Sequence, residues 1–484
     1  MKKLFTKFFA SLIIALTLGQ SAFAELSFEI TNQEAPKTKI LFFGFNPSDP
    51  NLKTDAFQIL LNVQRNLNST NLFEIIQDHS TLQVNEPGAS QNNIVNSQLN
   101  ANKSQNFGDN KNLENLGELN PSKTPIYSVE SLPDFKKYNA AQVGAIIVAQ
   151  LNYDIEGNLE IRLRLWDVLD QRQLFGKFYS SSKDNYKKLS NLISDEIFKA
   201  LTGEKAGHFN SRILYVSQSG SIRKRIKKIA MIDFDGANRR VLTDGRDLVL
   251  TPIFAKNPHE IYYLSYRENR PQIYSMNLHD NLSKRIGGFY ATTFAANANP
   301  QDQNKILLSA IFDGNSDVFE MHIKENRATR LTKSPSIDTT AAYSPDAKTI
   351  AFISDRDNSQ QIYLMDANGS NIRKASKGVG TYAKPVWSPD GTMLAFTRVK
   401  AGQFYIGTMS TNGTNERLLA SGYMVEGARW SPNGRYLLYS KTKSAYGKGS
   451  VPRLYTMDIA TGFEYELPLP EGEGATDPDW IAVN

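Results

Sequence analysis

Residue types able to do chemistry are thinly spread along this chain. The five histidines (His79, His208, His259, His279 and His322) lack metal-ligand spacing, and there is no cysteine, so no local motif offers a zinc site or a thiol nucleophile. No G-x-S-x-G elbow, H-E-x-x-H pair, P-loop or dinucleotide glycine pattern occurs. Three polar phrases, Asp233-Phe234-Asp235-Gly236, Asp366-Ala367-Asn368-Gly369 and Ser410-Thr411-Asn412-Gly413, begin like calcium loops. They lack the downstream acidic ligand and each lies between two β-prone runs, so they read as hairpin turns. Asp355 and Asp357 fall at a predicted hairpin tip, where solvation accounts for paired carboxylates. The expectation is no catalytic residue, no metal site, no cofactor and no enzyme.

What these residues sit on is a repeat. An aromatic column recurs at Phe254, Phe294, Tyr343, Trp387, Trp430 and Trp480, and after it comes a turn, best seen in Ser388-Pro389-Asp390-Gly391. Ser at the first position, Pro at the second with its fixed φ, then Asp and Gly suit a type I turn. An apolar run follows (MLAF from Met393, YLLY from Tyr436), then a second run such as IYSMN from Ile273, IYLMD from Ile362 or LYTMD from Leu454. Short β runs at a 40 to 50 residue period predict four-stranded blades of a propeller. The first unit opens at Arg212 in second-strand position and the last stops after Trp480 in first-strand position, so the two fragments complete one blade and predict six in all. The column aromatics are expected to pack between blades.

Residues 25–202 follow another pattern. Strands are predicted at Ile40–Phe45, Leu72–Gln77, Gly144–Gln150 and from Leu159, and helices at Asp55–Leu67 and Asn185–Leu201, where Leu189, Leu192, Ile193, Ile197 and Leu201 share one face. The fold class is therefore an α/β N-terminal domain (25–202) followed by an all-β six-bladed propeller (211–484), joined by a linker at 203–210. An Asn-rich insertion near 80–123 interrupts the first domain; ten Asn fall within residues 90–120, too polar a stretch to build a core. Residues 1–24 combine Lys2, Lys3 and Lys7, an apolar run and Ala22-Phe23-Ala24, the form of a secretory leader cut between Ala24 and Glu25. Removing it takes the net charge from +6 to +3, which gives no reason to expect nucleic acid or direct membrane insertion. The basic run Arg223-Lys224-Arg225-Ile226-Lys227-Lys228 reads as a solvated hairpin tip.

A disc with loops on two faces suits partner binding. The loops leading into the innermost strands differ from one another, while the turns on the other face repeat. They carry Arg246, Asp247, Phe289, Tyr290, Asp338, Thr339, Thr381, Tyr382, Tyr423, Glu426, Glu473 and Thr476, aromatic residues mixed with charge. The order of leader, α/β domain, the phrase IFKALTGEKAGHFNSRILYVS (Ile197 to Ser217) and six units with SPDG-type turns resembles the TolB family, periplasmic components of the Tol-Pal system. The resemblance implies a non-enzymatic, monomeric scaffold that supports outer-membrane integrity and constriction during cell division. It also implies that the mature N-terminus, Glu25, Leu26, Ser27, Phe28, Glu29, Ile30, Thr31 and Asn32, binds a TolA-type inner-membrane protein. The alternating Leu26, Phe28 and Ile30 suit strand addition; an ordinary edge strand is the other reading of that segment. A Pal-type lipoprotein would bind the loops at Phe289, Tyr290, Asp338, Thr339, Thr381, Tyr382, Tyr423 and Glu426. Two departures stand out: the Asn-rich insertion, and Phe254 and Phe294 being followed by AKNPHE and AANANPQ in place of SPDG. A secreted propeller enzyme or small-ligand sensor using the central channel stays open as the alternative.

Overall fold

The structure is a computed structural model that describes residues 36–47, 52–76, 128–221, 224–287, 292–312 and 314–483. The expected leader, the segment Glu25–Asn32 and the Asn-rich insertion lie outside these residues.

The N-terminal part is a five-stranded sheet in the order β2-β1-β3-β4-β5, with β1 (Thr38–Pro47), β2 (Phe73–Ile76), β3 (Ala145–Tyr153), β4 (Leu159–Asp167) and β5 (Arg172–Ser181). Strand β1 runs parallel to both β2 and β3, and β3, β4 and β5 are antiparallel. Helix α1 (Lys53–Asn68) buries Ile59, Val63 and Leu67, and α3 (Tyr186–Thr202) buries Leu189, Ile193, Ile197 and Phe198 against the same sheet face. Two elements carry no sequence signal. Helix α2 (Phe135–Ala140), started by Asp134 accepting the Lys137 N–H at 3.2 Å, is too short to show a period. Strand β5 is a sheet edge, exposed enough on both faces to lose its alternation.

Six four-stranded sheets follow, and they form the six blades of a propeller. Blade 1 spans residues 249–285, blade 2 292–330, blade 3 338–374, blade 4 381–422 and blade 5 424–466. Blade 6 joins the two ends of the propeller: the C-terminal strand β29 (Gly474–Ala482) pairs antiparallel with β6 (Ser211–Ser219), Trp480 opposite Ile213. This pairing covers the edge that β6 would otherwise leave open. The basic run only partly forms a hairpin tip, because Ile226, Lys227 and Lys228 belong to β7 (Ile226–Asp233).

Each innermost strand has a bulge, marked by a positive φ at Thr251, Ala295, Thr340, Lys384, Gly427 and Asp477 and by a register shift beside it. Counting three residues on reaches Phe254, Ala298, Tyr343, Trp387, Trp430 and Trp480. The aromatic column therefore skips blade 2, where Ala298 occupies the position expected for Phe294. Phe294 is the nearest aromatic by type and spacing; the bulge, which sets the true phase, leaves no residue-type signature. Trp387 and Trp430 donate their indole N–H to Ala342 O and Val386 O of the preceding blade, at 3.0 and 3.2 Å.

The SPDG phrase closes the turn between the first two strands of a blade. Gly391 N–H donates to Ser388 O at 2.9 Å, and the Ser388 hydroxyl accepts the Met393 N–H at 2.9 Å. Gly391 has φ +73°, a left-handed value that glycine adopts freely. Ala347 fills the same place in blade 3 at φ +58°. Ala347→Gly should therefore stabilise the protein by about 1 kcal/mol, the left-handed penalty less glycine's extra chain entropy. Urea unfolding checks this, and a loss of stability would contradict it.

The sheet and the ring share one core at the phrase GEKAGHFN. Gly203, with φ +75°, ends α3, and two residues past Gly207 the chain is clamped: Phe209 and Asn210 donate their N–H groups to Asp195 at 2.8 and 3.0 Å. His208 is buried among Phe198, Phe209, Phe234, Tyr436 and Trp480. Burial, with the Arg435 charge nearby, pushes its imidazole down to about 3. Below the free-chain value of 6.5 the unfolded chain takes a proton that the folded one refuses. Stability should then fall as pH drops from about 6.5 toward about 3, by up to about 1.4 kcal/mol per pH unit from this group. Between pH 7 and 5, His208→Phe should lose less stability than the parent in urea unfolding; equal losses would contradict the assignment.

Candidate functional site

In every blade the start of the innermost strand and the tip of the hairpin between the second and third strands lie at one end, as the antiparallel registers require. That end forms the entrance face of the channel. Of the thirteen exposed large apolar residues described in the propeller, ten are here: Ile226, Leu248, Tyr266, Ile311, Phe312, Ile337, Val379, Tyr423, Met424 and Tyr446. Single exposed apolar residues are ordinary on any surface, but their concentration here sets this face apart from the other. Val379 is 77% exposed, Tyr423 57% and Tyr446 88%.

Buried polar groups hold these loops in place. Arg398, 2% exposed, donates from Nε to Val379 O at 2.9 Å and from Nη1 to Glu416 at 2.5 Å, with its guanidinium 5.2 Å from the Tyr382 ring centroid. Tyr382 donates its hydroxyl to Glu416 at 2.8 Å. Asp338, fully buried, accepts from Arg356 Nη2 at 3.1 Å on both carboxylate oxygens, and Arg356 lies over the Tyr363 ring at 4.8 Å. Charge-assisted bonds of this kind, out of water, fix loop geometry at little entropy cost.

The residues expected to meet a partner thus divide. Tyr423 stands out into solvent. Thr339, Thr381 and Glu426 are half-buried, Thr339 donating to Ser309 Oγ at 3.2 Å. Asp338 and Tyr382, expected on the loop surface, lie inside the blades and shape the face without reaching its exterior. Phe289 and Tyr290 are outside the described residues. Arg246 and Asp247 bond to Asp244 and Arg267 at 3.2 and 3.0 Å, and Glu473 to Arg239 at 2.9 Å. Val379, Met424 and Ile337 are neither aromatic nor charged, so the mix of aromatic and charged residues in the loops does not mark them; an aliphatic side chain between glycines, as in Gly378-Val379-Gly380, is the available signal.

At the channel centre the six bulge residues form a belt. Lys384 reaches from blade 4 past Gly427 of blade 5 to blade 6, donating to Asp477 Oδ1 at 3.0 Å and lying 3.5 Å from Glu426 Oε2. Burial works against the ammonium, yet Asp477 and Glu426 outweigh it and raise its pKa; Asp477 is lowered despite its own burial, chiefly by Lys384. Across the belt, the buried Thr251 and Thr340 hydroxyls have no protein partner. The cavity between these groups measures about 70 Å³. A buried water needs about 10–15 Å³ of such volume, so the belt has room for several waters. Among the described residues no group of three or more His, Asp or Glu is placed to hold a metal.

Residues 198–484 match the family described as the TolB beta propeller domain. A "Tol-Pal system protein TolB" from Gluconobacter oxydans is 38% identical over 357 residues, 73% of this chain and 78% of that protein. This chain belongs to the TolB family. The crystal structure of TolB from Acinetobacter baumannii superposes with a TM-score of 0.73 at 22% identity, covering 92% of this chain and 97% of that one, and so shares its fold. In this TolB-family chain the entrance face is the surface on which the exposed apolar groups converge.

Proposed function

We propose that this protein is a component of the Tol-Pal system, acting in the periplasm as a partner-binding scaffold that docks a Pal-type lipoprotein on its entrance face. The observation that carries the proposal is the concentration of exposed apolar residues there, on loops braced by the buried Arg398 and by Arg356 on the buried Asp338. Preorganised loops spare the ordering cost of binding. The mature N-terminal segment Glu25–Asn32 then serves a TolA-type inner-membrane protein by strand addition. Together the two contacts link the inner membrane to the cell wall, in support of outer-membrane integrity and constriction at division.

Amide hydrogen exchange on the mature protein with and without the soluble domain of its host's Pal-type lipoprotein tests the face. Protection should appear in residues 333–337, 376–380 and 423–426, with β5 unchanged. Protection confined to the α/β part would place the contact elsewhere and overturn the proposal.

A further inference from the structure

The entrance face has a sign of charge as well as an apolar centre. Three of its carboxylates are committed: Asp244 lies 3.2 Å from Arg246, Asp247 3.0 Å from Arg267 and Asp338 3.1 Å from Arg356. Lys443 is paired as well, with Glu466 at 3.5 Å, but three other lysines are not. Lys224 at the blade 6 hairpin, Lys333 in the loop into blade 3 and Lys377 in the loop into blade 4 are exposed, and none has an ion pair among the described residues. Neither does Lys228, whose stem lies along Gly245. Lys333 and Lys377 flank the exposed Ile337 and Val379 in the same two loops, so cation and apolar surface are interleaved.

Uncompensated cations around exposed apolar groups cost nothing in water and gain most when an opposite surface arrives. We propose that the partner surface accepted by this face is acidic: carboxylates arranged around an apolar patch, meeting Lys224, Lys333 and Lys377 at the rim while Val379 and Tyr423 fill the centre. The proposal rests on the docking reading above and adds to it the charge of the partner. Long-range attraction of this kind speeds encounter more than it slows release, so it should appear in the association rate and be screened by salt.

The test is association kinetics of the mature protein with the soluble domain of the host's Pal-type lipoprotein at about 50 and about 500 mM NaCl, where screening lengths differ several-fold. The parent's association rate should fall about tenfold over that range. Lys224→Glu, Lys333→Glu and Lys377→Glu together should lower it about tenfold at low salt, with dissociation changed much less and the thermal transition unchanged. Saturable binding whose association rate ignores both salt and charge reversal would overturn the acidic partner while leaving the docking face in place. No binding by the parent would remove the docking reading itself. Charge-dependent binding to vesicles of phosphatidylglycerol and phosphatidylcholine, without binding to the lipoprotein domain, would overturn the protein partner in favour of a lipid surface.

Discussion

Lys384→Met should destabilise the propeller by about 2 kcal/mol, between the costs of breaking an exposed and a fully buried ion pair, because Lys384 is partly exposed and Asp477 mostly buried. Asp477 would then face the channel belt with its nearest cation gone, and its side chain is only 12% exposed. The effect should spread, because Asp477 belongs to β29, the strand that closes the ring. That strand is also tied by Asp479, which accepts from Arg429 Nε at 2.9 Å and from the Phe254 N–H at 2.7 Å, in blades 5 and 1. Lys384→Met with Asp477→Asn should recover part of the loss, since the Lys384–Asp477 pair is then replaced as a unit while Glu426 still lacks its lysine. Urea unfolding of the two single variants and the double gives the coupling. A single-variant loss under about 1 kcal/mol would mean the pair behaves as an exposed one, and the channel would not be the brace described.

The second large effect concerns two glycines four residues apart at the domain junction. A Cβ on Gly207 would come within 2.0 Å of Asp195 Oδ1, so the carboxylate would have to leave the N–H groups of Phe209 and Asn210 that it accepts. Gly207→Ala should cost about 3 kcal/mol, from overpacking and two lost charge-assisted bonds. Gly203 differs: its φ of +75° is the whole of its constraint, with nothing within 4 Å of an added Cβ. Gly203→Ala should cost only about 1 kcal/mol, the left-handed penalty. Denaturant unfolding of both separates contact from conformation, and equal losses would contradict this reading of the junction.

These two sites show what the sequence displays and what it hides. Turn chemistry was legible because SPDG needs only local rules, and the period of the β runs led to six closed blades. The strand phase in blade 2 was not legible: Phe294 looked like the column residue, whereas the bulge at Ala295 moves the position to Ala298. Strand β5 was missed because an edge strand wetted on both faces has no alternation. The entrance face was located from the variety of its loops, but exposure cannot be read from residue type. Tyr382 and Tyr423 look alike in sequence; one is sealed under Arg398 and the other is 57% exposed. The Lys384–Asp477 pair joins residues 93 apart through the ring's geometry, which no local pattern signals.

Calorimetric titration of residues 25–484 with the soluble domain of the host's Pal-type lipoprotein tests the central claim most directly. Saturable one-to-one binding is predicted, weakened about tenfold or more by Tyr423→Ala with Val379→Ser, as expected when central exposed anchors are truncated. Phe178→Ser, an exposed apolar change on β5 away from the face, should leave it intact. The folded protein failing to bind at micromolar concentration, or binding that Phe178→Ser abolishes and the Tyr423 variant does not, would contradict the account.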